Sequence, residues 1–329
     1  MTQRAAHRLA PGTSVHVRVP ASSANLGPGF DSIGLALGIW DECTATVTDD
    51  PGLVIEVEGQ GAGDVPLDER HLVYRSMLTA WDHLDPADAV EVPRGLHLRC
   101  RNAVPHGRGL GSSATAIVTG IAAAQGLSRA SQRDDRPFDL AFTNDIASMV
   151  EGHPDNASAS VHGGMTLSWS DDPGETAKAA TTTVRVPLHP DVVPVVFIPS
   201  ETLSTAKARS VLPSHVRLAD AAYNSARAAL LVHAMRHAPE HLLSATQERL
   251  HQEARRPSYP HSMELVDALR REGHAAVISG AGPSVLVLAT TATADAVLAH
   301  AGTPEEPSSW KALAPGVPGE GVIVRQVTN

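Results

Sequence analysis

The run Pro105-His106-Gly107-Arg108-Gly109-Leu110-Gly111-Ser112-Ser113 has the residue types and spacing of an anion cradle. Three glycines at alternate positions let a backbone approach a bulky anion with no Cβ in the way. A strand-like run, Gly95 to Cys100, precedes the loop, and a small-residue helix, Ala114 to Ala124, follows it. Ser112 or Ser113 is placed to cap that helix, whose free N–H groups and positive dipole end attract phosphate. The loop lacks the Gly-Lys-Ser/Thr ending of a Walker A motif. It also lacks the strand lysine of a protein kinase, since the only lysines are Lys178, Lys207 and Lys311. Gly109-x-Gly111-x-x-Ala114 meets the loose dinucleotide pattern, but a polar loop, Ser128 to Asp135, follows where that pattern needs a second parallel strand. A turn that merely joins a strand to a helix is the plain alternative.

Four further segments are punctuated as if they shape a site. They are the loop Pro20 to Asp31, the polar run Glu151-Gly152-His153-Pro154-Asp155-Asn156, Ser204 to Arg209, and the turn Gly280-Ala281-Gly282-Pro283. Taken singly, each is also compatible with a plain connection, a helix stop, a helix N-cap and a hairpin turn, respectively.

Composition bounds the rest. The chain has 329 residues, 42% of them hydrophobic, enough for two domains or one large one. A net charge of −10 without a Lys/Arg run argues against nucleic acid or an anionic membrane as the main partner. Two cysteines, Cys43 and Cys100, make neither a disulfide framework nor a cysteine-based zinc site, and the seventeen histidines show no metal-ligand spacing. No run of 18 apolar residues exists and Met1 to Pro11 lacks the apolar centre of a signal peptide, so the cytoplasm is expected.

The elements that must position these loops read as a mixed α+β pattern. Strands are expected at Val15–Val19, Glu42–Val47, Leu53–Val57, Leu96–Cys100, Val184–Val186, Val192–Ile198, Ala275–Ile278 and Val285–Ala289. Helices are expected at Leu72–Leu84, near 114–125, 137–150, 215–236, 239–253 and 261–272, and at Ala292–Ala301. Val161–Trp169 reads as a strand or bend, Ser170–Glu175 as a linker, and Gly321–Val327 as a closing strand. The division expected is 14–172 and 184–329.

Taken in order, the segment Pro20-x-Ser-Ser-Ala-Asn-Leu-Gly-x-Gly-Phe-Asp31, the Gly109-Leu-Gly-Ser-Ser113 loop and the Gly280-x-Gly-Pro-Ser284 turn resemble the GHMP family of small-molecule kinases. The likeness spans about residues 14 to 329. Within the family, the segments Ser22–Asp31, Glu151–Asn156 and Ser204–Arg209 are similar to members that phosphorylate the side-chain hydroxyl of L-homoserine.

The resemblance implies a two-domain fold, with a ribosomal S5 domain 2-like N-terminal part and a ferredoxin-like C-terminal part. It further implies a site in the cleft between them, ATP and Mg²⁺ as cofactors, and a homodimer. It places the phosphates on Pro105 to Ser113, and Mg²⁺ on Ser113 and Glu151. It gives the substrate carboxylate to Arg209 and Arg255, with Arg256 as an alternative. Asp31 takes the ammonium, with Asn25 and His153 as neighbours. Asn156, Thr205 and Arg209 stand nearest the reaction, Asn156 where some relatives carry an aspartate base. Another small alcohol such as mevalonate, or a non-catalytic ligand sensor on the same scaffold, remain the competing expectations.

Overall fold

In the computed structural model, the described residues are 6–86, 88–132, 136–170, 180–301 and 309–327. The strands are β1 (His7–Arg8), β2 (Ser14–Asn25), β3 (Gly29–Val47), β4 (Gly52–Gly59), β5 (Val90–Glu91), β6 (Gly95–Asn102), β7 (Met165–Ser170), β8 (Thr181–Val186), β9 (Val192–Pro199), β10 (Ala276–Ile278), β11 (Val285–Thr290), β12 (Trp310–Leu313) and β13 (Ile323–Gln326). The α-helices are α1 (Leu72–His83), α2 (Ser112–Gln132), α3 (Leu140–Glu151), α4 (Asp155–His162), α5 (Thr205–Ser210), α6 (Leu218–Arg236), α7 (Leu242–Ala245), α8 (Gln252–Arg255), α9 (Pro260–Arg271) and α10 (Ala294–Leu298).

The expected α+β class holds, in two large sheets and a two-stranded parallel pair, β1-β5. A seven-stranded sheet runs β13-β2-β3-β6-β4, with β7 pairing β3 and β8 pairing β7. A four-stranded antiparallel sheet runs β10-β11-β9-β12. On the first sheet, Val15, Val17, Val19, Ala45 and Leu98 bury one face against Ile117, Val118 and Ile121 of α2. Alternation along the strands and 3.6-residue spacing along the helix produce these two matching faces. Behind the second sheet, Phe197, Val285 and Val287 pack on Met263, Val266 and Leu269 of α9.

A further core cluster contains residues from both sheets. Leu26, Leu35, Leu37 and Met165 share it with Val196, Leu231 and Leu286. Leu110, at the centre of the glycine loop, is fully buried there. The loop is thus pinned into the seam by an apolar anchor whose truncation to alanine would cost about 2–5 kcal/mol.

Sheet membership cuts across chain order: β8 joins β7, and β13 returns to pair with β2, so both belong to the first sheet. Strand β3 runs over 19 residues, Gly29–Val47, where only Glu42–Val47 was expected. Val161–Trp169 divides between the end of α4 and β7, while 239–253 breaks into short helical pieces. Strand β12 has no counterpart in the expected list. The linker expected at Ser170–Glu175 lies, from Asp171 on, outside the described residues.

Candidate active site

The cleft between the sheets is lined by the glycine loop, by all four further punctuated segments and by Arg255. Asn25, Asp31, Gly107, Gly109, Gly111, Ser112 and Ser113 line it, as do Glu151, His153, Asp155, Asn156, Thr205, Arg209, Arg255 and Gly280. Pro105 and His106 lie outside this lining, and His106 faces a second pocket behind the loop.

The glycine loop is held by main-chain and side-chain bonds from both halves of the fold. Ser22 N–H donates to the Leu110 carbonyl (3.1 Å), Leu203 N–H to the Gly107 carbonyl (2.8 Å) and Ser284 N–H to the Arg108 carbonyl (3.3 Å). The Ser279 hydroxyl donates to the Gly109 carbonyl at 2.6 Å. Arg108 points away from the cleft and donates to the carbonyls of Pro199 (2.9 Å), Ser200 (2.8 Å) and His106 (3.1 Å). At the foot of the loop, buried Asp41 accepts from Ala103 N–H, Val104 N–H and the Thr115 hydroxyl.

Two glycines have a reason beyond access for an anion. Gly109 and Gly111 both sit at φ +71°, in the left-handed region. A Cβ on Gly109 would lie 2.3 Å from the Ser279 carbonyl oxygen, and one on Gly111 would lie 2.1 Å from Ser22 Oγ. The three motifs therefore pack on one another through these two positions. Helix α2 begins at Ser112, so Ser112 and Ser113 form its first turn instead of preceding it as a cap.

The first motif is a strained turn. Asn25, Leu26 and Asp31 are the only non-glycine residues with positive φ among the described residues (69°, 45° and 54°). Asn25 Oδ1 accepts from Asp31 N–H (3.1 Å) and its Nδ2 donates to the Gly280 carbonyl (3.0 Å), tying the turn to the third motif. Facing it, Arg209 donates from both terminal nitrogens to the two oxygens of Asp31, at 2.6 and 3.1 Å. Thr205 opens α5, whose N-cap is Ser204, accepting from Lys207 N–H.

Arg255 is 2% exposed, its Nε donating to the Ala208 carbonyl (3.0 Å). Burial holds its pKa below the usual arginine value. Arg256 turns outward to Glu253 and Asp267, so Arg255, not its neighbour, reaches the cleft.

Glu151 ends α3 beside Ser113. Burial raises its pKa, and its Oε2 has no hydrogen-bond partner among the described residues. His153 Nδ1 and Asp155 Oδ1 are 2.8 Å apart, and Asp155 Oδ1 also accepts from Asn156 N–H. Burial works against the His153 imidazolium, but the Asp155 hydrogen bond and the nearby carboxylates outweigh it and raise its pKa. Asn156 Oδ1 accepts from the Ser22 hydroxyl (3.0 Å). Asp31, His153 and Asp155 bring one potential ligand atom each within 4.8 Å of the others, although Arg209 already engages both oxygens of Asp31.

Sequence reasoning missed several groups that build the site. Phe30 lies with its ring 5.6 Å from the Arg209 guanidinium carbon and 5.7 Å from that of Arg255. His251, Asp41, Ser22 and Ser279 are likewise buried and bonded to site segments. Only Ser22 and Phe30 lay within a quoted motif; the partners of the others are distant in sequence.

Comparison with known proteins agrees with this geometry. Residues 71–164 match the family model for the GHMP kinases N terminal domain, and 228–303 that for the GHMP kinases C terminal. A homoserine kinase of Streptomyces coelicolor is 47% identical over 311 residues, covering 94% of each chain. One from Streptomyces avermitilis is 49% identical, covering 88% of this chain and 90% of the relative. Among solved structures, a homoserine kinase from Cytophaga hutchinsonii superposes with a TM-score of 0.77 at 25% identity, covering 95% of this chain and 97% of the other. The chain belongs to the GHMP kinase family.

Proposed function

We propose that this protein transfers the γ-phosphoryl group of ATP to the side-chain hydroxyl of L-homoserine, giving O-phospho-L-homoserine and ADP, in threonine biosynthesis. The observation that carries the reading is the pairing, across one cleft, of a lysine-free backbone cradle with the charged set Asp31, Arg209 and Arg255. A cradle alone fits any phosphorylated ligand. The facing charges fit a zwitterion: a carboxylate that draws Arg209 from Asp31 leaves Asp31 without a matching charge unless the same molecule brings an ammonium.

In this reading, N–H groups of Gly107 to Ser113 hold the phosphates at the start of α2. The pocket behind the loop, about 260 Å³ and lined by Val65, Pro66, His71, Leu72 and His106, takes the nucleotide base. It shares Ser112 and Ser113 with the cleft, which makes one continuous path for a nucleotide. The unpartnered, buried Oε2 of Glu151 beside Ser113 suits Mg²⁺, which takes a few hard oxygen ligands and keeps several waters. Bound there, the ion would neutralise charge on the phosphate oxygens.

Arg209 and Arg255 take the substrate carboxylate and Asp31 the ammonium, with Asn25 and His153 beside it. Thr205 orients the hydroxyl. Asn156 cannot accept a proton as a base, and no dedicated base is invoked. A loose transition state at phosphorus is served by in-line positioning and charge neutralisation. A cytoplasmic homodimer is the expected form of the enzyme, and sedimentation of the purified protein reads the dimer directly.

A coupled ADP-release assay with MgATP against L-homoserine, L-serine, L-threonine and mevalonate tests the reading. Turnover selective for L-homoserine, with the phospho ester identified in the product, is expected. No conversion of L-homoserine, or a preference for mevalonate, overturns it.

A further inference from the structure

His251 is 1% exposed and belongs to none of the cleft-lining segments, yet it touches both sides of the amino-acid site. Its Nε2 lies 2.8 Å from the Gly27 carbonyl oxygen, and its Nδ1 lies 3.4 Å from a terminal nitrogen of Arg255. Those partners settle its protonation. A carbonyl can only accept, so Nε2 carries the hydrogen; a guanidinium can only donate, so Nδ1 presents a lone pair. The ring is therefore neutral, and burial lowers its pKa in the same sense. The imidazole also stacks on Phe30, with ring centroids 5.2 Å apart and planes 27° from parallel.

The backbone that carries the ring is held from behind by Glu248, whose Oε2 also lies 3.7 Å from the ring Nε2. Glu248 Oε2 accepts from Leu250 N–H (2.6 Å) and His251 N–H (2.9 Å), and Oε1 accepts from Gln252 N–H (2.9 Å). Gln252 Oε1 in turn accepts from Ile278 N–H at the edge of the second sheet. One side chain, braced on the second half of the fold, thus fixes the turn that bears Asp31 and the guanidinium of Arg255.

We propose that His251 is a positioning residue for acceptor recognition: its neutral imidazole sets the spacing between Arg255 and the Gly27–Asp31 turn, so that a carboxylate and an ammonium on one small molecule meet both. This rests on the reading of the cleft as an amino-acid site. The ring touches no acceptor itself and acts through Arg255 and Phe30.

The test compares wild type with His251→Phe, which keeps a flat ring against Phe30 and loses both nitrogens, and with His251→Gln, which restores one donor and one acceptor. KM for L-homoserine is expected to rise about 10- to 100-fold in His251→Phe, as for a lost hydrogen bond to a charged group, with KM for ATP unchanged. The kcat/KM for 3-aminopropan-1-ol, the same acceptor without its carboxylate, is expected to stay at the wild-type value. His251→Gln is expected to recover most of the loss. In crystals of substrate-free His251→Phe, the Arg255 guanidinium is expected to leave the Ala208 carbonyl. An equal loss on both acceptors, a folded His251→Gln that behaves like the Phe variant, or an Arg255 that stays in place overturns the proposal. If the Phe variant does not fold, His251→Asn, too short to span Gly27 and Arg255, is measured with the same expectations. Wild-type protein inert towards L-homoserine would refute the functional reading, and the crystallographic comparison would then decide the role of His251 by itself.

Discussion

The two walls of the cleft are built on opposite principles. The wall proposed to take the phosphates, called the phosphate wall below, is mostly backbone: left-handed glycines, carbonyls tied to Ser22, Leu203, Ser279 and Ser284, and the first turn of α2. The wall proposed to take the amino acid is mostly charge: Asp31, Arg209 and Arg255, arranged around Phe30 and His251. A backbone wall fails when any atom is added where chains touch. A charged wall tolerates changes of shape but not loss of a donor fork or a counter-charge. If the first wall takes the polyphosphate, as proposed, it fits every ligand that carries one, and selectivity for the acceptor would come from the second.

The sharpest break is expected at Gly111→Ala. The added Cβ would sit 2.1 Å from Ser22 Oγ at a φ that disfavours side chains. A stability loss of about 2–5 kcal/mol, read by thermal melting, should accompany a fall in kcat/KM for ATP of about 100-fold or more. Gly319→Ala, which meets no atom within 4 Å, should change stability by less than about 0.5 kcal/mol.

On the charged wall, Arg255→Lys should raise KM for L-homoserine about 100-fold and leave KM for ATP alone, because a point charge cannot replace a buried fork. Arg256→Lys, on the outer face, should change it by less than about threefold. Steady-state kinetics of the two neighbours separates them.

Asp31→Asn should raise KM for L-homoserine about tenfold. It should also free Arg209, which Asp31 now engages through both oxygens. 4-Hydroxybutanoate, with a carboxylate but no ammonium, should then inhibit the variant more strongly than wild type. Equal inhibition of both proteins would show that the ion pair does not restrain Arg209.

Asn156→Ala lies between the walls and should lower kcat by no more than about tenfold, less than the removal of a general base costs. Loss of all turnover with L-homoserine binding and folding intact would contradict the mechanism without a base.

The smallest effect concerns pH. Burial lowers the pKa values of His71, His162 and His251 below 6.5. The unfolded chain then binds more protons than the folded one, so stability is full above about pH 6.5 and declines as pH falls towards the folded values. His153, whose pKa is raised, contributes with the opposite sign, so the effect is read as the difference between wild type and a histidine variant in thermal melts between pH 7.5 and 5.5. His162→Gln should reduce the slope by up to about 1.4 kcal/mol per pH unit.

Much of the phosphate wall was legible in the sequence because its residues are contiguous. Loop, helix start and turn carry their own glycines and serines. The regular helices Leu72–His83 and Pro260–Arg271 were legible from apolar spacing alone. What could not be read is set by distant contacts. Strand β3 continues through Gly34, where a Cβ would lie 2.0 Å from the Asp155 carbonyl oxygen, so that glycine marks helix approach and not a strand end. Helix α4 hides behind its small residues and the glycine pair Gly163-Gly164 that follows. The bond from His251 to Gly27 spans 224 residues, and no local pattern announces it.

The pairing of β13 with β2 bears on how the molecule is made. Ile323 lies opposite Arg18 and Val324 opposite Val17, on the strand that ends in Ser22, Ser23 and Asn25. As the chain leaves the ribosome, the edge beside β2 stays open until Ile323–Gln326 has emerged. A nascent first half must therefore wait, with one sheet edge uncovered, for a partner strand made long after it, and a deletion of Ile323–Gln326 would be felt on the strand that carries Ser22, Ser23 and Asn25.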